Sequence, residues 1–253
     1  MPVAAETSPK DRFLTVYGRN AVLEALTDLR LHVDKVVVAD GARGAGIREI
    51  EQAARRRGLA VQHAAADRVK KLAGNGRQDQ GVFADVVAPR MLRLHAALDR
   101  GTLRTIVVLD GITTPANVGM ILRSATAAGV DGIVVPRRGV ASLDPLVVKA
   151  SAGVAFRAPI IRSHTAEEAV SALKGAGFTV VGLDAAGDTD LFCAHLPEPV
   201  AFVLGGESTG LGAQVSRLVD TWVSIPMASG VDSLNVSAAA AVVCFELVRR
   251  ARA

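Results

Sequence analysis

Hydrophobic and polar positions along the chain follow two alternating rhythms. Within residues 17–29, Val22, Leu23, Ala25 and Leu26 recur at helical spacing and predict a helix. KVVVAD (35–40) is a β-branched run, the pattern of a buried strand. GIREIEQAARRRG (46–58) predicts an amphipathic helix closed by Gly58. A short strand is expected at 61–64, a helix at 67–74 stopped by Gly74, and a strand at 81–88 after a polar, glycine-rich turn. Together these elements make an α/β unit of about 75 residues, within the usual domain range. The first 11 residues are polar, carry two prolines and are expected to be a disordered tail.

Pro89 interrupts the pattern, and 91–101 reads as a linking helix, so 89–103 is expected to join two domains, 12–88 and 104–253. From residue 104 the alternation resumes more strongly. Strands are predicted at 105–112, 132–136, 158–163, 179–184, 199–206 and 221–227. Helices are predicted at 117–129, 144–153 and 166–177, the second opened by an Asp cap followed by Pro. One long helix closes the chain from Ser233 or Asn235. The strands are continuous apolar runs, the mark of a parallel sheet covered on both faces, so the fold class is α/β.

The 253 residues are 50% hydrophobic and 21% charged, a globular balance. No apolar run approaches the roughly 18–20 residues that span a bilayer, and the first residues lack the apolar stretch of a secretory signal. Two cysteines, Cys193 and Cys244, exclude a disulfide framework and a Cys-rich zinc site, so a reducing, cytoplasmic location is expected. The five histidines show no metal-ligand spacing, and no metal is expected. Charge changes the picture once it is divided. Residues 1–103 carry 17 basic and 12 acidic side chains, a net +5, whereas residues 104–253 carry 12 and 13, a net −1. A basic first domain fits a polyanionic partner. Candidate RNA contacts are Arg19, Arg55, Arg56, Arg57, Lys70, Lys71 and Arg77, with Arg12 and Arg43 in the same pool; a solvated helix face is the plain alternative for Arg55–Arg57. Aromatic residues, at 4%, are too sparse for recognition by base stacking.

Three segments carry candidate chemistry. GGESTGLG (205–212) follows a buried strand, where open α/β sheets bind ligands. It lacks the lysine of a P-loop. Its Gly-x-Ser-x-Gly match is not a hydrolase elbow, because every histidine precedes Ser208. In LDGITTPANVGMILRSA (109–125), Asn117 stands where a helix begins and can cap it; Arg123 follows six residues later among apolar neighbours. Such an arginine either snorkels to solvent or grips a phosphate bidentately. In IPMASGVDSLNVSAAAA (225–241), a loop off a strand leads into a small-residue helix whose free N–H groups face the same sheet edge.

In this order and spacing the three segments resemble the motifs of the SpoU (TrmH-like) family of 2′-O-ribose RNA methyltransferases, of the SPOUT class. The resemblance covers residues 105–250, and YGRNAVLEAL and RQDQGVFADV extend it to the first domain, which resembles the small RNA-binding domain of the rRNA-modifying branch. It implies a C-terminal trefoil knot that binds S-adenosyl-L-methionine, a homodimer packed through that domain, and an rRNA substrate. Carried onto matching positions, it implies that Gly205, Gly206, Ile225, Pro226, Met227, Leu234, Ser237 and Leu183 hold the cofactor. Arg123 is then the main catalytic residue, supported by Asn117, Glu207, Ser233 and Asn235. Two positions depart from the pattern: Ser208 stands where the family commonly has Gly, and Thr114 where it commonly has Asp. An arginine stays protonated, so Arg123 is expected to act electrostatically and not as a base. The expected activity is methylation of large-subunit (23S) rRNA. A tRNA ribose methyltransferase and a catalytically silent ribosome-associated protein are the alternatives, and housekeeping and antibiotic-resistance roles both stay open.

Overall fold

The computed structural model describes residues 12–73, 79–206, 209–228 and 231–252. The tail 1–11, Gly74, Arg77, Glu207 and Ser208 lie outside the described residues. The chain forms two compact units, residues 1–89 with 143–148, and residues 90–142 with 149–253.

In the first unit β1 (Phe13–Tyr17), α1 (Arg19–Thr27), β2 (Val33–Ala39), α2 (Ala45–Arg56), β3 (Val61–Ala64), α3 (Ala66–Ala73) and β4 (Val82–Val87) follow one another. Their sheet has the order β1-β4-β2-β3, with β2 and β3 parallel and the other pairs antiparallel. The sequence pattern does not predict β1. FLTVY is short, and it becomes a strand by lying antiparallel to β4, from Phe13 opposite Val87 to Tyr17 opposite Phe83. Leu14 and Val16 face inward there, while Thr15 donates to Asp85 at 2.6 Å.

The second unit begins inside the expected linker. Residues 91–101 do not form one helix: β5 (Leu92–Arg93) pairs with a distant strand and α4 (Leu94–Leu98) follows it. Burial of Leu94 and Ala97 in the main core outweighs the helical spacing of the whole segment. Then come β6 (Thr105–Leu109), α5 (Pro115–Ala128), β7 (Gly132–Val134), α6 (Pro145–Ala150, whose residues up to Val148 belong to the first unit), β8 (Ile160–Arg162), α7 (Ala166–Gly175), β9 (Thr179–Leu183), β10 (Thr189–Asp190), β11 (Val200–Leu204), α8 (Ala213–Ser216), β12 (Thr221–Ser224) and α9 (Val236–Arg250). Eight strands form one sheet in the order β10-β12-β9-β11-β6-β7-β8-β5, and every neighbouring pair is parallel.

Both faces of this sheet are buried, which explains the continuous apolar runs. Along β11, Ala201 and Val203 pack with Ala169, Val170 and Leu173 of α7, whereas Val200 and Phe202 pack with Val243 of α9. Neighbouring β9 divides in the same way, Val180 to the first core and Val181 to the second. Because all strands run parallel, their C-terminal ends share one edge, and the functional segments follow those ends. Among the described residues no helix is long and apolar enough to cross a membrane.

Candidate active site

A cavity of about 460 Å³ opens at the C-terminal edge of the sheet. Three adjacent strands feed it. Leu183, Asp184 and Ala185 end β9; Leu204, Gly205 and Gly206 end β11; Ile225 and Met227 follow β12. The approach to α9, from Asp232 to Val236, closes the remaining wall with Ala239. Its volume suits a small-molecule ligand. Leucine and isoleucine side chains supply an apolar slot, while the glycine backbone and two carboxylates supply polar contacts. No sequence signal marked Asp184 and Asp232; their place after β9 and before α9 puts them in the wall.

The glycine loop is built by close backbone approach. Gly206 and Gly210 exchange N–H···O bonds of 3.1 and 2.9 Å, folding the loop on itself. A Cβ on Gly205 would lie 2.4 Å from the carbonyl carbon of Gly210, and one on Gly206 would lie 2.6 Å from the carbonyl oxygen of Gly111. Past the loop, the Gly212 N–H donates to Asp110 Oδ2 at 2.7 Å, which ties it to the end of β6. Asp110 was not among the expected site residues.

The other two segments meet beside the cavity. Asn235 caps α9: its Oδ1 accepts from the Ser237 N–H at 2.8 Å and from Ser237 Oγ at 2.6 Å. Its Nδ2 donates to Asn117 Oδ1 at 3.2 Å, across 118 positions of sequence. Asn117 itself does not cap its helix. α5 begins two residues earlier, with Pro115 in its first turn and Thr114 before it, so Asn117 is a buried residue within the helix. Ser237 Oγ also approaches Met120 Sδ at 3.8 Å. Asn117, Met120 and Arg123 step by three along α5 and form one slanting ridge. Arg123 is exposed and does not line the cavity. It lies about 9 Å along the helix from Asn117, and helical side chains lean toward the N-terminus, here toward the cavity edge.

Of the expected cofactor residues, Gly205, Gly206, Ile225, Met227, Leu234 and Leu183 line the cavity, as do Ser233 and Asn235 from the supporting set. Pro226 is exposed between two lining residues, and Ser237 is buried behind the wall. Glu207 and Arg77 fall outside the described residues. In the first unit Arg55, Arg56, Lys70 and Lys71 are exposed at the ends of α2 and α3, where positive charge also suits the helix dipole. Arg19 is half-buried, with its Nε 3.5 Å from the Gln80 carbonyl. Arg57 does not fit an RNA contact: its guanidinium turns inward and donates to the carbonyls of Ala25, Leu26, Asp28 and Leu31. It closes the end of α1, whose last carbonyls would otherwise lack donors.

Neither cysteine lines the cavity. Cys244 is buried in α9, and burial pushes its thiol up to about 12. Among the described residues no group of three or more His, Cys, Asp or Glu could hold a metal ion.

Comparison with known proteins matches the second unit to the SpoU rRNA Methylase family over residues 104–245. The first unit matches the RNA 2′-O ribose methyltransferase substrate-binding family over residues 15–92. The 23S rRNA (guanosine-2′-O-)-methyltransferase RlmB of Xylella fastidiosa (strain 9a5c) is 35% identical over 239 residues, 93% of this chain and 96% of that protein. A Staphylococcus haemolyticus relative named for the TrmH family of tRNA/rRNA methyltransferases is 34% identical, over 94% of this chain and 96% of its own. The crystal structure of the SpoU methyltransferase AviRb from Streptomyces viridochromogenes, in complex with AdoMet, superposes with a TM-score of 0.62 at 29% identity, covering 94% of this chain and 90% of that one.

Proposed function

The chain belongs to the SpoU family of RNA 2′-O-ribose methyltransferases, and we propose that it methylates a ribose hydroxyl of 23S rRNA. The observation that carries this reading is the bond between Asn117 and Asn235, which joins the first and third motifs at the wall of a cavity lined by the second. The full-length likeness to a 23S rRNA enzyme, including the substrate-binding unit, supports the large-subunit target. A tRNA target is the second reading, favoured by the relative named for both substrates.

S-adenosylmethionine supplies the methyl group. The cavity suits it: Leu183, Ile225 and Leu234 offer an apolar slot for adenine, Gly205 and Gly206 allow close backbone approach, and Asp184 and Asp232 favour a cation. Arg123 orients the acceptor phosphate and stabilises alkoxide character on the ribose oxygen as its proton passes to solvent water. Asn235 and Asn117 hold the end of α9 against α5, which fixes Ser233 and Leu234 in the wall. Glu207 belongs to the same proposed network. The trefoil knot is part of this proposal, and the tie between Gly212 and Asp110 supports a chain drawn tightly over this edge.

The test is transfer of labelled methyl groups to unmodified large-subunit rRNA, small-subunit rRNA and bulk tRNA. Label at one ribose of the large-subunit RNA is expected. Label on tRNA alone would establish the second reading. Cofactor binding without transfer to any RNA would instead mark a silent RNA-binding protein.

The homodimer belongs to the same proposal. α5 and α9 pack together, and Met120 and Phe245 on them are 40% and 51% exposed, large apolar surface that a second copy would cover. Phe245→Asp is expected to shift the protein from dimer to monomer in sedimentation, with its helix content kept. A variant that sediments as wild type would remove this face from the interface.

A further inference from the structure

The sheet edge that carries the cavity is electrically divided. On the side of β9 and β12 the cavity is lined by Asp184 and Asp232. On the side of β7, β8 and β5 the strand ends carry Arg137 and Arg138, Arg162 and His164, and Arg93. The two sides meet at β6, whose end holds Asp110 with its carboxylate engaged by the Gly212 N–H. An acid, Glu168, also sits on the basic side, accepting from the His164 N–H at 2.9 Å. The first unit therefore does not hold all of the ordered positive charge, although the second unit's sequence is close to neutral overall.

The basic side is also rigidly built. β7 and β8 continue past their assigned ends as paired chains. The Val135, Arg137 and Arg138 N–H groups donate to the carbonyls of Ile161, Ser163 and His164 at 2.9, 3.0 and 3.1 Å. Arg162 Nη1 donates to the Val135 carbonyl at 2.6 Å and locks the junction. Arg137 and Arg138 stand exposed on this paired extension. β7 is two strands from β11, and β8 three, so the basic ends lie about 10–15 Å from the glycine loop. An RNA strand whose acceptor ribose reaches the cavity would carry its neighbouring phosphates across that distance.

We infer that Arg137 and Arg138, on the paired ends of β7 and β8, form a shelf for the backbone phosphates that flank the acceptor nucleotide. The inference rests on the methyltransferase reading above and deepens it. The shelf positions RNA and contributes no group to the reacting atoms. Acidic side chains around the sulfonium donor and basic ones around the polyanion place each charged reactant on its own side of the transfer point.

The experiment compares full-length wild type with Arg137→Ala/Arg138→Ala and Arg100→Ala/Arg104→Ala. The second pair removes the same charge ahead of β6, at the opposite edge of the sheet. Both substitutions in the first pair keep the backbone N–H groups that pair with β8. Affinity for a large-subunit rRNA transcript is measured across a salt series, alongside S-adenosylmethionine affinity and methyl transfer. The shelf variant is expected to bind RNA roughly tenfold more weakly, with a salt slope shallower by about 1.5, two phosphate contacts being lost. Its cofactor affinity should be unchanged, and the control pair should change RNA affinity less than about twofold. Equal losses in the two variants, an unchanged salt slope, or wild-type protein that binds no RNA would overturn the shelf. Wild type that binds the RNA but transfers no methyl group would sink the enzyme reading, while the shelf would still be judged on its own slope.

Discussion

Arg123→Ala is expected to lower methyl transfer by on the order of 10²–10³-fold while leaving S-adenosylmethionine affinity within about twofold. The split follows from position. Arg123 is absent from the cavity wall and stands exposed on the ridge that begins at Asn117. No hydrogen bond or ion pair engages its guanidinium among the described residues, so its removal leaves the cavity and the cap of α9 as they are. What is lost is a planar, permanently charged fork beside the acceptor. A ribose hydroxyl is a weak nucleophile, and positioned positive charge lowers the barrier only as negative charge develops on its oxygen. The loss should therefore fall mainly on kcat. Arg123→Lys separates charge from geometry: it is expected to recover only part of the rate, because an ammonium cannot grip a phosphate with two parallel donors. The measurement is single-turnover transfer to the RNA with saturating cofactor, beside direct cofactor binding. Turnover of Arg123→Ala near the wild-type rate would remove Arg123 from the mechanism, and a large loss of cofactor affinity would place it in the binding site instead.

The elements that carry the site are legible in the sequence where a long apolar run settles them. β6, β9 and β11 are buried on both faces, and such runs leave little choice of structure. Elements that depend on a distant partner are not legible. β1 exists through its pairing with β4, and β5 through its pairing with β8, a strand about seventy residues away. The same division holds at the site. The three motifs can be recognised singly and in order, but the bond from Asn235 to Asn117 spans the domain and cannot be read from either segment. Asn117 illustrates the local error: Asn before an apolar helix is a good cap, yet Pro115 starts the helix earlier and moves Asn117 inside it. Arg57 shows the corresponding limit for charge. Three consecutive arginines look equivalent in sequence, and only the fold turns the third onto the carbonyls of α1 and leaves Arg55 and Arg56 exposed.

Gly205→Ala is expected to weaken S-adenosylmethionine binding by at least about tenfold and to destabilise the protein by roughly 1–3 kcal/mol, the usual cost of forcing extra atoms into a packed site. The added methyl would lie 2.4 Å from Gly210 C, 2.6 Å from its oxygen and 2.6 Å from Leu211 N. These are backbone atoms, which cannot rotate away as a side-chain terminus would. The loop must shift, and with it Gly206 and Gly210, which line the cavity together with Gly205. Gly206→Ala should behave similarly for a different reason, its methyl falling 2.6 Å from the Gly111 carbonyl oxygen at the end of β6. Gly175→Ala is the matched control. It ends α7, has no atom within 4 Å of the added Cβ, and should leave stability unchanged or raise it by up to about 1 kcal/mol. Thermal melting with and without S-adenosylmethionine reads both effects at once. The wild type and Gly175→Ala should gain melting temperature from the ligand, and the two loop variants should gain far less. A Gly205→Ala protein that melts lower but keeps the full ligand-induced shift would show that the loop's close packing serves the fold and not the cofactor.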